Sequence, residues 1–141
     1  MITKNAEDTI KYGEKFAKKL HGGDILALSG DLGSGKTTFI KGLARGLGVK
    51  ENITSPTFVL LKEYKLRPKV HLGGGLLVHI DAYRINNIND IKSIGIEDYL
   101  NRKDVILVIE WAEKIKKILP KNIITINFRH IDANSREIII S

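Results

Sequence analysis

Apolar residues near the start of the chain recur with the period of a helix. Their spacing alternates between four and three positions, and lysines occupy the intervening positions. The apolar or small residues of this face are Ala6, Ile10, Gly13, Ala17 and Leu20. The pattern predicts an amphipathic helix that ends at Gly22-Gly23.

A short apolar strand and a second helix follow. Ile25–Ser29 predicts a buried strand, and a glycine-rich stretch comes directly after it. The apolar face of the next helix comprises Phe39, Ile40, Leu43 and Leu47. Gly42 and Gly46 lie inside this helix, where each costs up to ~1 kcal/mol relative to alanine. They indicate either a close approach to a neighbouring element or a surface that tolerates glycine.

The middle of the chain contains three predicted strands. Phe58–Leu66 and Leu76–Asp81 predict a long hairpin, with Arg67-Pro68 and Gly73–Gly75 in its irregular connection. Val105–Ile109 is the most hydrophobic run of the chain. It predicts a central strand buried on both faces, next to the strand that precedes the glycine-rich stretch.

Short helices and a second strand pair complete the pattern. A helical stretch is predicted over Ile91–Leu100 with an interruption at Gly95, and another over Trp111–Leu119. Ile123–Arg129 and Glu137–Ile140 predict a final pair of strands. The alternation of strands and helices predicts a single α/β domain over residues 1–141, with a mainly parallel core, antiparallel hairpin additions and flanking helices.

Composition narrows the class of protein. The 141 residues carry 23 Lys+Arg and 16 Asp+Glu, a formal net charge of +7. The absence of cysteine excludes disulfides, thiolate zinc sites and a cysteine nucleophile. Apolar runs too short for a bilayer and a start without a secretion signal predict a cytoplasmic protein without membrane contact. The positive charge suits polyanionic partners, but a lysine-rich surface also serves solubility.

The glycine-rich stretch is a candidate phosphate-binding loop. Gly30–Thr37 matches the phosphate-binding pattern G-x-x-x-x-G-K-[ST] in full, between a strand and a helix. Gly33 and Gly35 allow backbone N–H groups to face phosphate oxygens. Lys36 should reach the β- and γ-phosphates of a nucleotide, and the Thr37 hydroxyl should ligate Mg²⁺. The competing interpretation is a glycine-rich turn that only caps a helix.

Two acidic residues follow predicted strands and are candidates for the metal. Asp81 ends one strand, and Glu110 follows Val105–Ile109. Since Val105–Ile109 is the better central strand, Glu110 is the first choice for Mg²⁺, and Asp81 would orient the attacking water or a metal ligand. His79 shares a strand face with Asp81, but no third ligand stands at a metal-binding spacing, so we interpret it as a hydrogen-bonding strand residue.

Four segments in this order resemble the TsaE family, small bacterial P-loop ATPases of tRNA threonylcarbamoyladenosine biosynthesis. The segments are Gly30–Thr38, Ser55–Phe58, His79–Arg84 and Val108–Lys114. The resemblance implies that the chain binds ATP and Mg²⁺ and hydrolyses ATP weakly on its own. It also implies action with the TsaD–TsaB pair, which modifies an adenosine of tRNA and which ATP hydrolysis resets between turnovers. Contact with tRNA would then be indirect, through the complex.

The resemblance also assigns residues. The implied phosphate-binding residues are Gly33, Ser34, Gly35, Lys36, Thr37 and Thr38. Thr37 and Glu110 would hold the metal, and Asp81 would assist hydrolysis. Ser55–Thr57 would form a loop that senses the γ-phosphate, which gives Thr57 a catalytic role beside Lys36.

The nucleotide base is the least constrained part of this assignment. Trp111 would lie close enough to the nucleotide for its fluorescence to report binding. The adenine would lie between the segment near Ala6 and the turn near Ser135.

Two alternatives belong to other classes of protein. A small-molecule kinase could use the same cradle, but it needs an acceptor pocket and an arginine-bearing lid, and the chain has only six arginines. A nucleotide-sensing RNA-binding module would suit the charge. However, aromatic residues make up 6% of the chain and form no stripe interleaved with basic residues.

Overall fold

Seven strands form one mixed sheet in the computed structural model, which describes residues 1–56, 60–68 and 72–141. The strands are β1 (Ile2–Thr3), β2 (Ile25–Ser29), β3 (Leu61–Lys65), β4 (Leu76–Asp81), β5 (Val105–Glu110), β6 (Ile124–His130) and β7 (Arg136–Ile140). The helices are α1 (Ala6–Ala17), α2 (Lys36–Gly46), α3 (Ile88–Ser93), α4 (Glu97–Leu100) and a 3₁₀ helix at Ala112–Ile118.

The strand order is β1-β7-β6-β2-β5-β4-β3. β2 pairs in parallel with both β5 and β6, and β5 pairs in parallel with β4. β3, β7 and β1 are added antiparallel at the two sides. The predicted α/β class, the adjacency of β2 and β5 and both strand pairs are confirmed. Because β2, β4 and β5 run in parallel, their carboxyl ends meet at one edge of the sheet, where a binding crevice is expected.

Helices cover both faces of the sheet and bury β5 completely. On one face Leu28 and Val108 pack in the same core as Phe39 of α2. On the other face Leu107 and Ile109 pack with residues of the short helices. All residues of Val105–Glu110 are buried, as the continuous apolar run predicts. Alternation along β5 therefore places Glu110 on the α2 face.

The glycines of α2 lie against α1. A Cβ atom added to Gly42 would stand 2.1 Å from the carbonyl oxygen of Ile10, and one added to Gly46 would stand 2.7 Å from that of Glu14. Gly13 of α1 faces the same contact, with the carbonyl oxygen of Phe39 at 2.4 Å from its virtual Cβ. Close approach is thus the reason for glycine inside the helix.

We expect Gly42→Ala to destabilise the protein, although alanine favours helices by about 1 kcal/mol. The clash with Ile10 requires the helices to separate, which typically costs about 1–3 kcal/mol. Urea denaturation followed by circular dichroism measures the change in unfolding free energy. Lys41→Ala, at an exposed position of the same helix, should stay within about 0.5 kcal/mol of the parent. A Gly42→Ala protein as stable as the parent would contradict the tight packing.

Several boundaries differ from the prediction for local reasons. α1 ends at Ala17, before Gly22-Gly23, and the chain turns there so that Leu20 enters the core. α3 begins at Ile88, three positions before the predicted start, because Asn87 and Asp90 form a capping box. The predicted interruption at Gly95 is confirmed, with a φ of +79°.

The edges of the sheet also depart from the prediction. β1 was not predicted, because a strand of two residues has no period of its own. β3 begins at Leu61, and the predicted strand residues Phe58 and Val59 lie outside the described part of the chain. Among the described residues, no helix has the length and apolar character needed to cross a membrane.

Candidate functional site

A cleft of about 610 Å³ opens at the carboxyl ends of β2, β4 and β5. The loop after β2, Asp81 at the end of β4 and Glu110 at the end of β5 all line it. The parallel strand order therefore brings together the predicted phosphate loop and both predicted acidic residues.

The phosphate loop adopts backbone conformations that need glycine. Gly33 has a φ of +75° and Gly35 a φ of +102°, both in the left-handed region. α2 begins directly after Gly35 and has neither a side-chain cap nor an acidic residue in its first turn. Its unpaired N–H groups and positive dipole end therefore face the cleft without a competing anion from the helix itself.

Lys36 lies folded onto its own loop. Its Nζ donates hydrogen bonds to the carbonyl oxygens of Gly30 (2.6 Å) and Asp31 (2.9 Å), and it lies 3.3 Å from Ser34 Oγ. Only 4% of the residue is exposed. Burial lowers the pKa of the Lys36 ammonium, and nearby carboxylates, Glu110 first among them, partly offset this. The cost of desolvating the ammonium therefore outweighs the attraction of these carboxylates.

Glu110 connects the phosphate loop to the sheet. Thr37 Oγ1 donates to Glu110 Oε1 at 2.7 Å. The other carboxylate oxygen, Oε2, lies 2.7 Å from Nε2 of His79. Glu110 is 3% exposed and His79 is fully buried. The predicted metal pair of Thr37 and Glu110 is thus in direct contact, and His79 lies behind it as a hydrogen-bonding strand residue.

Asp81 has a different environment from Glu110. Its Oδ2 accepts from Ser55 Oγ at 2.6 Å, and its Oδ1 accepts from the backbone N–H of Tyr83 at 2.9 Å. Ser55 therefore connects the predicted sensing loop to Asp81. Thr57, the other end of that loop, lies outside the described residues.

Trp111 and Tyr83 form an aromatic wall of the cleft. Their ring centroids are 5.0 Å apart, and Lys36 Nζ lies 4.3 Å from the centroid of the Trp111 ring. Trp111 has a φ of +57°, a conformation that is costly for a bulky residue and is typical of functional sites. Trp111 thus lines the cleft together with the predicted phosphate loop, and its contact with a nucleotide stays a prediction.

The segments predicted for the adenine lie at the far side of the cleft. Ala6 lines it, whereas Ser135 does not, although its neighbours Asn134 and Arg136 do. Arg136 Nη2 donates to the carbonyl oxygen of Gly33 at 3.2 Å, and Nη1 donates to carbonyl oxygens of the β6–β7 turn. Sequence reasoning missed this link, since it joins residues 103 positions apart.

The donor atoms present fit a hard cation bound together with phosphate. Among the residues that the structure describes, no group of three or more His, Asp or Glu side chains could hold a metal on its own. Thr37 Oγ1 and the Glu110 carboxylate are oxygen donors beside the phosphate loop. Mg²⁺ characteristically uses one or two such protein oxygens and completes its shell with phosphate and water.

Comparisons with known proteins agree with the fold and the motifs. The family model described as "Threonylcarbamoyl adenosine biosynthesis protein TsaE" matches residues 3–138. The tRNA threonylcarbamoyladenosine biosynthesis protein TsaE of Treponema pallidum is 38% identical over 99% of this chain and 98% of its own length. The TsaE of Bacillus subtilis is 39% identical over 96% of this chain and 80% of its own length.

A solved structure shows the same architecture. The crystal structure of YdiB from Bacillus subtilis superposes with a TM-score of 0.74 at 34% sequence identity, covering 98% of this chain and 80% of that one. Sequence and fold thus agree over nearly the whole chain. The chain belongs to the TsaE family, which takes part in the biosynthesis of threonylcarbamoyladenosine in tRNA.

Proposed function

We propose that this protein is a Mg²⁺-dependent ATPase that serves the TsaD–TsaB complex in making threonylcarbamoyladenosine in tRNA. The observation that carries the proposal is the contact of Thr37 Oγ1 with Glu110 Oε1 at 2.7 Å, beside a complete phosphate loop. A loop that only caps a helix would not need a buried carboxylate on the hydroxyl of Thr37.

Phosphate binding is assigned to the loop and to the start of α2. The residues from Gly33 to Thr38 present N–H groups and hydroxyls, and Lys36 supplies the charge. On binding, the Lys36 ammonium exchanges the carbonyl oxygens of Gly30 and Asp31 for charged phosphate oxygens. That exchange is favourable because charge-assisted hydrogen bonds are about twice as strong as neutral ones.

Thr37 and Glu110 are the residues that would hold Mg²⁺. When bound, the ion neutralises charge on the β- and γ-phosphates. Glu110 is suited to this because its Oε1 already faces the hydroxyl of Thr37. Asp81 is assigned to orienting the attacking water, since it lines the cleft and its oxygens accept hydrogen bonds from Ser55 and Tyr83 and not from Thr37.

A low intrinsic rate in the absence of partners is part of the proposal. Both oxygens of Asp81 accept hydrogen bonds, from Ser55 and from the backbone N–H of Tyr83, so a rearrangement would have to free one of them to hold the attacking water. Binding of TsaD and TsaB is proposed to drive this rearrangement, and hydrolysis is proposed to reset the complex between turnovers in the cytoplasm. The tRNA is reached through the partners.

The test is phosphate release from ATP by the purified protein, alone and with TsaD, TsaB and substrate tRNA. We expect slow release alone and strong stimulation by the complete complex with Mg²⁺. Stimulation by a small hydroxyl-bearing acceptor in place of the complex would indicate a kinase. Tight, salt-sensitive binding of tRNA to the isolated protein without hydrolysis would indicate an RNA-binding module.

A further inference from the structure

His79 is a buried titratable side chain without a role in the proposed mechanism. His79 is fully buried in β4, although an apolar residue would fill a core position without desolvating a polar ring. Its Nε2 lies 2.7 Å from Glu110 Oε2, and its Nδ1 has no hydrogen-bond partner among the described residues. The bond to Glu110 is therefore what compensates for burying the imidazole.

The sheet register fixes this contact. β4 and β5 are parallel, with His79 opposite Val108 and Asp81 opposite Glu110. His79 and Glu110 are thus diagonal neighbours on the α2 face, held by two buried strands and not by a loop. The imidazole cannot move away from Glu110 without disturbing the core of the sheet.

Hydrogen-bond chemistry assigns the proton. An ionised carboxylate only accepts hydrogen bonds, so the hydrogen of this contact lies on Nε2 of His79. Thr37 donates to Oε1 of Glu110 while His79 donates to Oε2, each at 2.7 Å. Each carboxylate oxygen is thus held by its own donor, and Oε1 is the oxygen that faces Thr37.

We propose that His79 is a positioning residue that holds Glu110 in the orientation needed for Mg²⁺. This inference rests on the proposed function, because it takes Glu110 as the metal carboxylate. Residues that hydrogen-bond to a metal ligand typically contribute about tenfold to a hundredfold to metal affinity or activity. His79 is expected to act on metal binding through Glu110 and to leave the metal-independent contacts of the nucleotide unchanged.

The first experiment measures the affinity for AMP-PNP, a non-hydrolysable ATP analogue, by calorimetry in Mg²⁺ and in EDTA. The ratio of the two affinities gives the contribution of the metal. His79→Leu should lower this ratio by up to about tenfold to a hundredfold, with the affinity in EDTA unchanged. His79→Gln, whose amide N–H can replace Nε2–H, should retain most of the ratio. Leu77→Val, two residues earlier on the same strand face, controls for a disturbed core.

The outcomes distinguish the positioning role of His79 from the assignment of Glu110 as the metal carboxylate. An unchanged ratio in His79→Leu, together with a lost ratio in Glu110→Gln, would overturn the positioning role and leave the proposed function intact. If Glu110→Gln kept the parent's ratio of AMP-PNP affinities in Mg²⁺ and in EDTA, the assignment of Glu110 to the metal would be overturned. Equal losses in His79→Leu and His79→Gln would show that the bulk of the ring matters and not its N–H, which also overturns the inference.

A spectroscopic measurement tests the contact without any metal. ¹H–¹⁵N correlations of the imidazole rings should show a hydrogen on Nε2 of His79. Its signals should shift in Glu110→Gln and stay in place in Leu77→Val. A ring protonated at Nδ1 only would overturn the assignment, because it could not donate to Glu110.

Discussion

Replacing Lys36 with alanine should abolish the proposed ATPase activity in the presence of TsaD, TsaB and tRNA. In the proposed function the ammonium is the charge that the loop directs at the β- and γ-phosphates. Removing one preorganised donor to the transition state typically costs about 10²–10³ in kcat. We therefore expect phosphate release in the presence of the complex to fall by about that factor, with a marked loss of ATP affinity.

The same substitution should not damage the fold. Burial lowers the pKa of Lys36 in the folded protein, so the protonated ammonium is less favourable there than in the unfolded chain. This penalty is fully present below the folded pKa and is relieved as the pH rises toward the unfolded value. At neutral pH, Lys36→Ala should therefore leave the melting temperature unchanged or raise it. Such a site is optimised for phosphate and not for stability.

The control lies five residues further along α2. Lys41→Ala removes an exposed lysine from the same helix and should keep ATP affinity, stimulation and melting temperature. Phosphate release and AMP-PNP calorimetry on the three proteins make the comparison. Intact affinity and intact stimulated turnover in Lys36→Ala would show that the loop is not the phosphate site.

Local sequence was sufficient to predict the phosphate loop and its two candidate acids. Recognising Gly30–Thr37 as a phosphate loop requires only the strand before it and the helix after it, and hydrophobic patterns predict both elements. Val105–Ile109 is apolar throughout, which predicts a central strand next to β2 and so places Glu110 near the loop. These inferences depend on elements that each have a strong signal of their own.

The remaining contacts depend on pairing between distant segments. Arg136 reaches Gly33 only because β6 lies beside β2 and β7 lies beside β6, an order that no local pattern encodes. His79 reaches Glu110 only through the register of β4 against β5. A shift of one residue would turn each strand's side chains to the opposite face, so the pairing had to be observed.

The contacts of Lys36 within its own loop also lie beyond local sequence. Its motif predicts contact with phosphate and carries no information on the carbonyl oxygens of Gly30 and Asp31, to which the ammonium donates hydrogen bonds. A buried ammonium takes such acceptors because an unpaired charge would be far more costly. The motif therefore predicts the ligand of Lys36 and not its contacts within the loop.

Glu110→Gln should separate metal binding from every other property of the site. Glutamine keeps the shape of the side chain, so Thr37 and His79 keep a polar partner, but the negative charge is lost. The Mg²⁺ enhancement of AMP-PNP affinity should largely disappear, and stimulated hydrolysis should fall by about 10²-fold or more. Affinity in EDTA should be kept. The melting temperature should be unchanged or lower, because Glu110 is the carboxylate that most offsets the burial of the Lys36 ammonium.

Two neighbouring carboxylates give matched comparisons for this variant. Glu113→Gln alters the acceptor of Ser29 Oγ, at 2.8 Å, and should leave the Mg²⁺ requirement unchanged. Asp81→Asn should lower the rate at saturating Mg²⁺ while keeping the Mg²⁺ enhancement of affinity, because Asp81 contacts Ser55 and Tyr83 and not Thr37. If Asp81→Asn lost the Mg²⁺ enhancement and Glu110→Gln lost only the rate, the two roles would have to be exchanged. The contact of His79 with Glu110 would then serve hydrolysis, and Asp81 at the end of β4 would hold the metal.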